Sequence, residues 1–173
     1  MRRFGVIAAL GALLGMIGGV TTAAPALARG PKWQFMQEPP TFTVPADFCG
    51  FEIQGTQLVH KVFEKDTNNA DGSVTRLFTG VSKISLTNPA NGKSVTANTS
   101  GPVKEIDFPD GSMIFLAKGH QPVPLGPADA ARFGLPSLFV SAGALTATFD
   151  ANGNLTSLTL QGHVLVDVCA AVS

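Results

Sequence analysis

Residues 71–119 read DGSVTRLFTGVSKISLTNPANGKSVTANTSGPVKEIDFPDGSMIFLAKG, and the spacing of their turn residues is the most informative pattern in the sequence. Three dipeptides typical of tight hairpins recur there every nineteen or twenty residues: Asp71-Gly72, Asn91-Gly92 and Asp110-Gly111. Three single glycines fall about halfway between them: Gly80, Gly101 and Gly119. Because Gly, Asn and Asp tolerate the positive φ of tight turns, this pattern predicts an up-and-down meander. The chain is expected to reverse about every eight to ten residues, at alternate ends of the sheet.

The segments between these turns alternate between apolar and polar side chains. In Val81–Leu86, Ile84 and Leu86 fall on one face and Lys83 on the other. Such a period of two predicts strands with one buried face and one wetter face. Met113–Leu116 is apolar on both faces, which predicts a strand that is covered on both sides or lines a cavity.

One short helix is predicted over Pro127–Phe133, where Pro at the start and Gly134 at the end frame about two turns. The other segments predict about eight antiparallel strands, so the fold class is all-β. We expect a closed up-and-down β-barrel, because closure removes the exposed edge strands that invite aggregation. A two-sheet β-sandwich is the alternative.

Cys49 and Cys169 are the two cysteines of the chain, and they bracket nearly the whole predicted domain. Two thiols that reach an oxidising compartment usually pair, so a disulfide between the first and last strands is predicted. Two free buried thiols are the alternative. A redox role is not indicated, because the chain has no C-x-x-C motif.

The amino terminus has the three parts of a secretory signal peptide. A basic start (Met1–Arg3) precedes an uncharged apolar run (Phe4–Val20), and Ala26–Ala28 supplies an A-x-A cleavage site. We therefore predict a signal peptide over residues 1–28, secretion to the extracellular space, and no membrane insertion after cleavage. An uncleaved membrane anchor is the alternative, since the apolar run approaches the ~17–25 residues of a spanning helix.

The rest of the chain divides into a Pro-rich extended leader over residues 29–45 and a single domain over residues 46–173. Trp33 and Phe35 make part of the leader a candidate for docking on the domain, because disordered tails rarely carry two aromatic residues so close together.

The charge of the chain argues against two classes of partner. The full sequence holds 12 basic and 12 acidic residues. Loss of Arg2 and Arg3 with the signal peptide leaves 10 basic residues, a net charge of about −2. Because no Lys/Arg cluster remains, nucleic-acid binding and a polybasic membrane-surface patch are not supported.

Several short motifs carry a resemblance to known proteins: Cys49-Gly50-Phe51, Leu77-Phe78-Thr79-Gly80, the segment 87–93, Asp150-Ala151-Asn152-Gly153 and Asp167-Val168-Cys169. Together they resemble a group of small secreted actinobacterial proteins, over most of the mature chain. In architecture alone, the short-turn barrel resembles lipocalin-like and allene oxide cyclase-like barrels. The resemblance implies a fold and no function, since fold does not determine function.

No catalytic residue, metal site or cofactor is predicted. The three histidines, His60, His120 and His163, lack metal-ligand spacing, and no nucleophile-elbow or phosphate-loop motif occurs. Glu105 and Asp107 share one strand face, which we interpret as a solvated face rather than a pair of converging carboxylates.

The chain is rich in Phe and has no Tyr. Phe fills space without a polar tip, so core packing is the first interpretation, and lining of an apolar cavity is the second. The candidate lining residues are Phe63, Phe78, Phe115, Phe139 and His120.

The leading functional hypothesis is a non-catalytic barrel that binds a small apolar or amphipathic molecule or has a structural role at the cell surface. One alternative is a cofactor-free isomerase or cyclase that acts inside the barrel, with polar groups from His60, Arg76 or His120. A second is a protein–protein interaction module that contacts its partner through the leader and Trp33.

Overall fold

The computed structural model describes residues 32–173, in which nine β-strands and three short α-helices are formed. The predicted signal peptide lies outside the described residues. The strands are β1 (Gln34–Phe35), β2 (Thr41–Val44), β3 (Ile53–Asn68), β4 (Val74–Thr87), β5 (Ser94–Asn98), β6 (Val103–Asp107), β7 (Met113–Pro124), β8 (Leu138–Phe149) and β9 (Leu155–Asp167). The helices are α1 (Ala46–Cys49), α2 (Pro127–Phe133) and α3 (Val168–Val172).

All nine strands belong to one antiparallel sheet. β1 and β2 both pair with β3, while β5 and β6 both pair with β4. β1 and β2 together therefore act as one interrupted strand, and so do β5 and β6. With each of these counted as one strand, every strand pairs with the strands that precede and follow it in the sequence. The predicted antiparallel all-β meander and the predicted helix Pro127–Phe133 are confirmed.

The hairpin dipeptides lie in tight turns, as predicted. Two of these turns, and the turn between β8 and β9, contain an Asp side chain that accepts a hydrogen bond from the backbone N–H two residues later: Asp71 from Ser73 at 3.0 Å, Asp110 from Ser112 at 2.9 Å and Asp150 from Asn152 at 2.9 Å. These bonds stabilise the turn locally. They also lower the pKa of each Asp below its usual range, with Ser73, Ser112 and Asn154 providing the largest effects.

The prediction that Gly80, Gly101 and Gly119 form turns is wrong. Gly80 lies inside β4, Gly119 lies inside β7, and Gly101 lies in the gap between β5 and β6. Their common feature is close approach to a neighbouring backbone. A Cβ atom at Gly119 would lie 2.7 Å from the carbonyl oxygen of Ser100, and its φ of 92° is one that other residues rarely adopt.

The same feature continues across the sheet. Gly119 pairs with Gly143 of β8, and Gly143 pairs with Gly162 of β9. A Cβ at Gly143 or Gly162 would overlap the backbone of the adjacent strand. Glycine inside a strand often marks such an approach. We call Gly119, Gly143 and Gly162 the glycine line.

The two edges of the sheet are connected by a disulfide. Cys49 ends α1 directly after β2, Cys169 lies in α3 directly after β9, and the two residues are bonded with their Cα atoms 5.2 Å apart. The predicted disulfide is confirmed. Within residues 32–173, however, no hydrogen-bonded pairing joins β9 to β1 or β2. The observed fold is therefore an antiparallel sheet that is not closed by hydrogen bonds.

The buried apolar residues form two clusters. The first cluster draws on β4, β6, β7, β8, β9 and α2, and its largest members are Phe78, Phe115, Phe139 and Phe149. The second cluster draws on β2, β3, β4, β5, β8 and α3, and includes Ile53, Ile84, Leu86, Leu138, Val168 and Val172. α3 is attached to the β4–β5 turn, because Asn88 and Asn91 each donate a side-chain hydrogen bond to the carbonyl of Val172 at 3.1 Å.

The described part of the Pro-rich segment, residues 32–45, lies against the sheet. It contains β1 and β2, and Met36 between them is buried in the first cluster. Trp33 and Phe35 remain about half exposed. Strand pairing and Met36 attach this segment to the domain, and the half-exposed ring of Phe35 adds edge-on contacts with His60 and Phe63 of β3.

Candidate functional site

A cavity of about 330 Å³ lies between the two apolar clusters. Its walls include members of both: Phe78, Val103 and Phe115 from the first, and Ile84, Leu86 and Leu138 from the second. β4 runs past the whole cavity and contributes residues from Phe78 to Leu86. Side chains that are far apart in the sequence thus line one mostly apolar cavity.

Two of the five predicted lining residues, Phe78 and Phe115, line this cavity. The other three are not among its lining residues. Phe63 is 43% exposed and packs edge-on against Phe35, Phe139 is fully buried in the first cluster, and His120 is partly buried on β7. Val62, the neighbour of Phe63, lines the cavity instead, because successive residues of a strand face opposite sides.

The segment between β1 and β2, residues 36–40, forms part of the wall, and we call it the strap. It is anchored to β3 at both ends. The N–H of Met36 donates to the carbonyl of Val62 at 3.0 Å, and the N–H of Gln57 donates to the carbonyl of Pro40 at 2.8 Å. Between these anchors, Glu38 and Pro39 line the cavity.

Glu38 meets two polar side chains of β3. Its Oε2 accepts a hydrogen bond from Nε2 of Gln57 at 2.7 Å and lies 3.5 Å from Nδ1 of His60. The Glu38 and His60 side chains are only 7% and 13% exposed. His60 Nε2 lies 2.9 Å from the carbonyl oxygen of Met36; since that oxygen only accepts, Nε2 carries a proton. The other ring nitrogen, Nδ1, is the one near Glu38. A favourable contact between Nδ1 and the Glu38 carboxyl requires one proton between them, carried either by Nδ1 or by the carboxyl.

Burial raises the pKa of the Glu38 carboxyl above its ordinary value of 4.5, while the neighbouring charge on His60 opposes the rise. A buried carboxyl with a raised pKa favours the folded state when it is protonated. The stability it contributes is fully present below the unfolded pKa. That contribution is lost as the pH rises through the folded pKa.

We therefore expect Glu38→Gln to stabilise the protein relative to wild type at pH 8 more than at pH 4. The amide keeps the shape, can accept from Gln57 and carries no charge to bury. Thermal unfolding of both proteins from pH 4 to pH 8 measures the difference, with Glu52→Gln at an exposed position as the matched control. A difference that is constant with pH, or that grows towards acid, would contradict the expectation.

Four polar residues line the cavity beside Glu38. His60, Ser82 and Gln121 lie on β3, β4 and β7, and Thr99 directly follows β5. His60 is the cross-strand partner of Ser82, and Thr99 donates from Oγ1 to Oγ of Ser82 at 2.9 Å. Gln121 lies on β7, and its carbonyl accepts from the hydroxyl of Ser141 at 3.3 Å. We call the four lining residues the polar row, since they stand between the two apolar clusters.

Three residues that line the cavity each carry a buried hydrogen-bonding atom that has no partner within the described part of the chain. These atoms are Oε1 of Gln57, Nδ1 of His60 and Nε2 of Gln121. Buried polar atoms are normally paired, and each exception requires an explanation. All three residues line the cavity, in which a ligand or water could supply the missing partner.

The interpretation of Glu105 and Asp107 as a solvated face is wrong for Glu105, which is buried. Arg76 Nη1 lies 2.6 Å from Oε1 of Glu105 and 3.0 Å from Oδ2 of Asp107. Burial, together with the charge of Asp107, raises the pKa of Glu105, and Arg76 opposes the rise. The reason is register, because Arg76 and Glu105 are cross-strand partners and Phe115 lies beside Glu105 on the next strand.

The isomerase alternative relied on His60, Arg76 or His120 as polar groups inside the fold. Of these, His60 lines the cavity, whereas Arg76 and His120 are not among its lining residues. Among residues 32–173, no group of three His, Cys, Asp or Glu side chains is arranged to hold a metal ion.

The sequence did not identify Glu38, Gln57 or Gln121 as candidate residues. For Glu38 a signal exists, since it is the sole acidic residue of the Pro-rich segment and is followed by two prolines. Gln57 precedes an irregularity in the pairing of β3 with β4, between Gln57 and Val59. After this shift, the even-numbered residues of β3 face the cavity instead of the odd-numbered ones. The sequence alone shows no sign of the shift, because a regular alternation is expected throughout the strand.

In the part of the chain that the structure covers, no helix is long and apolar enough to cross a membrane. Comparison of the chain with protein-family models, with curated proteins and with solved structures finds no match.

Proposed function

We propose that this protein binds a small apolar or amphipathic molecule in the cavity between its two apolar clusters. The observation that carries the proposal is a hollow of about 330 Å³ with mostly apolar walls and a few polar groups. Small-molecule sites have this composition and volumes of roughly 300–1,000 Å³, so the cavity suits a ligand at the small end of that range.

The energetic cost of the hollow supports this proposal. Protein interiors are packed as densely as organic crystals, and an empty space forfeits the dispersion contacts of the residues around it. An engineered apolar cavity of about 150 Å³ is already large enough to bind benzene. A hollow about twice that size, lined mainly by aromatic and aliphatic side chains, is best explained by an occupant that restores the lost contacts.

We further propose that the sheet curls into a barrel around this ligand and that the protein acts outside the cell. The disulfide between the two edge regions supports the first part, because it holds the two sides of the sheet together. Disulfides form and persist in oxidising compartments, which supports the second part together with the predicted signal peptide.

Val62→Phe is expected to weaken ligand binding at least about tenfold, because the larger side chain would fill part of the cavity. The matched control is Val81→Phe, the same substitution on an exposed side chain of the neighbouring strand, and it should leave binding unchanged. Titration with the neutral fluorescent dye phenylnaphthylamine measures the affinity, and thermal unfolding verifies that both variants fold.

The binding function would be refuted by two results together. The wild-type protein would give no saturable dye signal, and solvent extraction followed by mass spectrometry would find no bound molecule. Equal affinities of the two Phe variants would place the dye elsewhere on the molecule.

A further inference from the structure

We infer that the ligand is uncharged and carries a hydroxyl or carbonyl oxygen that binds at the polar row, with apolar parts that contact both clusters. This inference rests on the proposed binding function and specifies the class of molecule that the cavity takes.

The charges that line the cavity disfavour an anion. Among the described residues, no Lys or Arg lines it, and its ionisable side chains are Glu38 and His60. When these two share one proton, the pair is neutral; when the proton is lost, the pair is negative. A ligand carboxylate would thus be buried beside a carboxyl group with no cation free to pair with it, which is strongly unfavourable.

A cation is disfavoured for a related reason. An ammonium group beside Glu38 would have to replace the proton that the Glu38–His60 pair holds and would break the contact between them. It would also have only one acidic partner, since Glu38 is the single carboxyl that lines the described cavity. Buried charges generally need a partner and further hydrogen bonds.

The unpaired atoms match an oxygen that both donates and accepts. Oε1 of Gln57 lacks a donor, and Nε2 of Gln121 lacks an acceptor. A hydroxyl group can serve an acceptor and a donor at once, whereas a carbonyl oxygen can serve Gln121 alone. Of the two, the hydroxyl therefore leaves fewer buried atoms unpaired.

The location of the polar row indicates which apolar groups of the cavity surround the oxygen of the ligand. Phe78 and Phe115 stand on one side of the row and Leu86 and Leu138 on the other. An apolar chain or ring attached to the oxygen can therefore bury its surface against both clusters. These features describe a small alcohol with a substantial hydrocarbon part, rather than a fatty acid.

The test displaces bound phenylnaphthylamine with three molecules of the same chain length, decanol, decanoate and decylamine, at pH 6, where decanoate and decylamine both carry their charge. We expect decanol to bind at least about tenfold more tightly than either charged analogue. Gln121→Leu should weaken the binding of decanol about three- to tenfold more than it changes the binding of the dye, as expected for one lost hydrogen bond. The control, Gln161→Leu at an exposed position of β9, should change neither affinity.

The outcomes separate this inference from the function on which it rests. Decanoate or decylamine that binds as tightly as decanol, or decanol that does not displace a bound dye, overturns the inference while ligand binding stands. A decanol affinity that falls no more than the dye affinity in Gln121→Leu also overturns it. If the wild-type protein binds neither the dye nor any of the three molecules, the inference and the proposed function both fail.

Discussion

Replacement of both Cys49 and Cys169 by Ser is expected to lower the free energy of unfolding by about 4–5 kcal/mol. The two residues are separated by 120 positions, and a cross-link that closes so long a loop removes much of the conformational freedom of the unfolded chain. For a domain of this size, the melting temperature should fall by roughly 10–20 °C. This is one of the two largest effects that we expect from any substitution in the protein.

Denaturant unfolding of the oxidised wild type, the reduced wild type and the double Ser variant measures this effect. The last two should coincide, since both lack the cross-link and little else differs. A loss below about 1 kcal/mol would show that the unfolded chain gains little freedom without the bond. The contacts of α3 with the β4–β5 turn would then be sufficient to hold the carboxyl-terminal end in place.

Gly143→Ala is expected to destabilise the protein by at least about 3 kcal/mol, or to prevent folding. The φ of Gly143 is 119°, and a Cβ there would overlap the backbone of Gln161 and Gly162. Strain at such a φ costs on the order of 1–3 kcal/mol, and overpacking costs a similar amount. The two costs add, because β8 and β9 would have to separate to accept even one methyl group.

The matched control for this substitution is Gly126→Ala. Gly126 precedes α2 with a φ of −62°, and a Cβ there would contact nothing within 4 Å. The control should be neutral or stabilise by about 0.4–1 kcal/mol, because Ala restricts the unfolded chain. Soluble expression and urea unfolding of both variants provide the comparison. Equal stability of the two would mean that β8 and β9 are not packed as closely as the glycine line implies.

The hairpins were predictable from the sequence because their cause is local. Each turn Gly follows an Asp or Asn, and in three turns an Asp side chain accepts the nearby backbone N–H. The strand glycines lack such a neighbour, since Thr79 precedes Gly80 and Lys118 precedes Gly119. That difference was available in the sequence. The close approach that makes glycine necessary there is a contact between strands and was not available.

The candidate site was predictable only in part, for a related reason. The richness in Phe gave Phe78 and Phe115 as lining residues, but it also gave Phe63 and Phe139, which do not line the cavity, because composition does not show which face of a strand a residue occupies. Glu38 reaches the cavity through the strap, which has no periodicity to interpret. Gln57 and His60 lie on either side of the irregularity in β3, so a continuous alternation cannot place both on one face.

The meander has a consequence for the order of folding. Because β3 and β4, β6 and β7, and β8 and β9 are joined by short turns, these pairs close small loops and can form early, at little entropic cost. The second apolar cluster, by contrast, brings Val44 together with Val172 from the far end of the chain. The cysteines come within bonding distance only when this cluster assembles. We therefore expect the disulfide to form after the sheet has folded and to stabilise it, rather than to direct its folding.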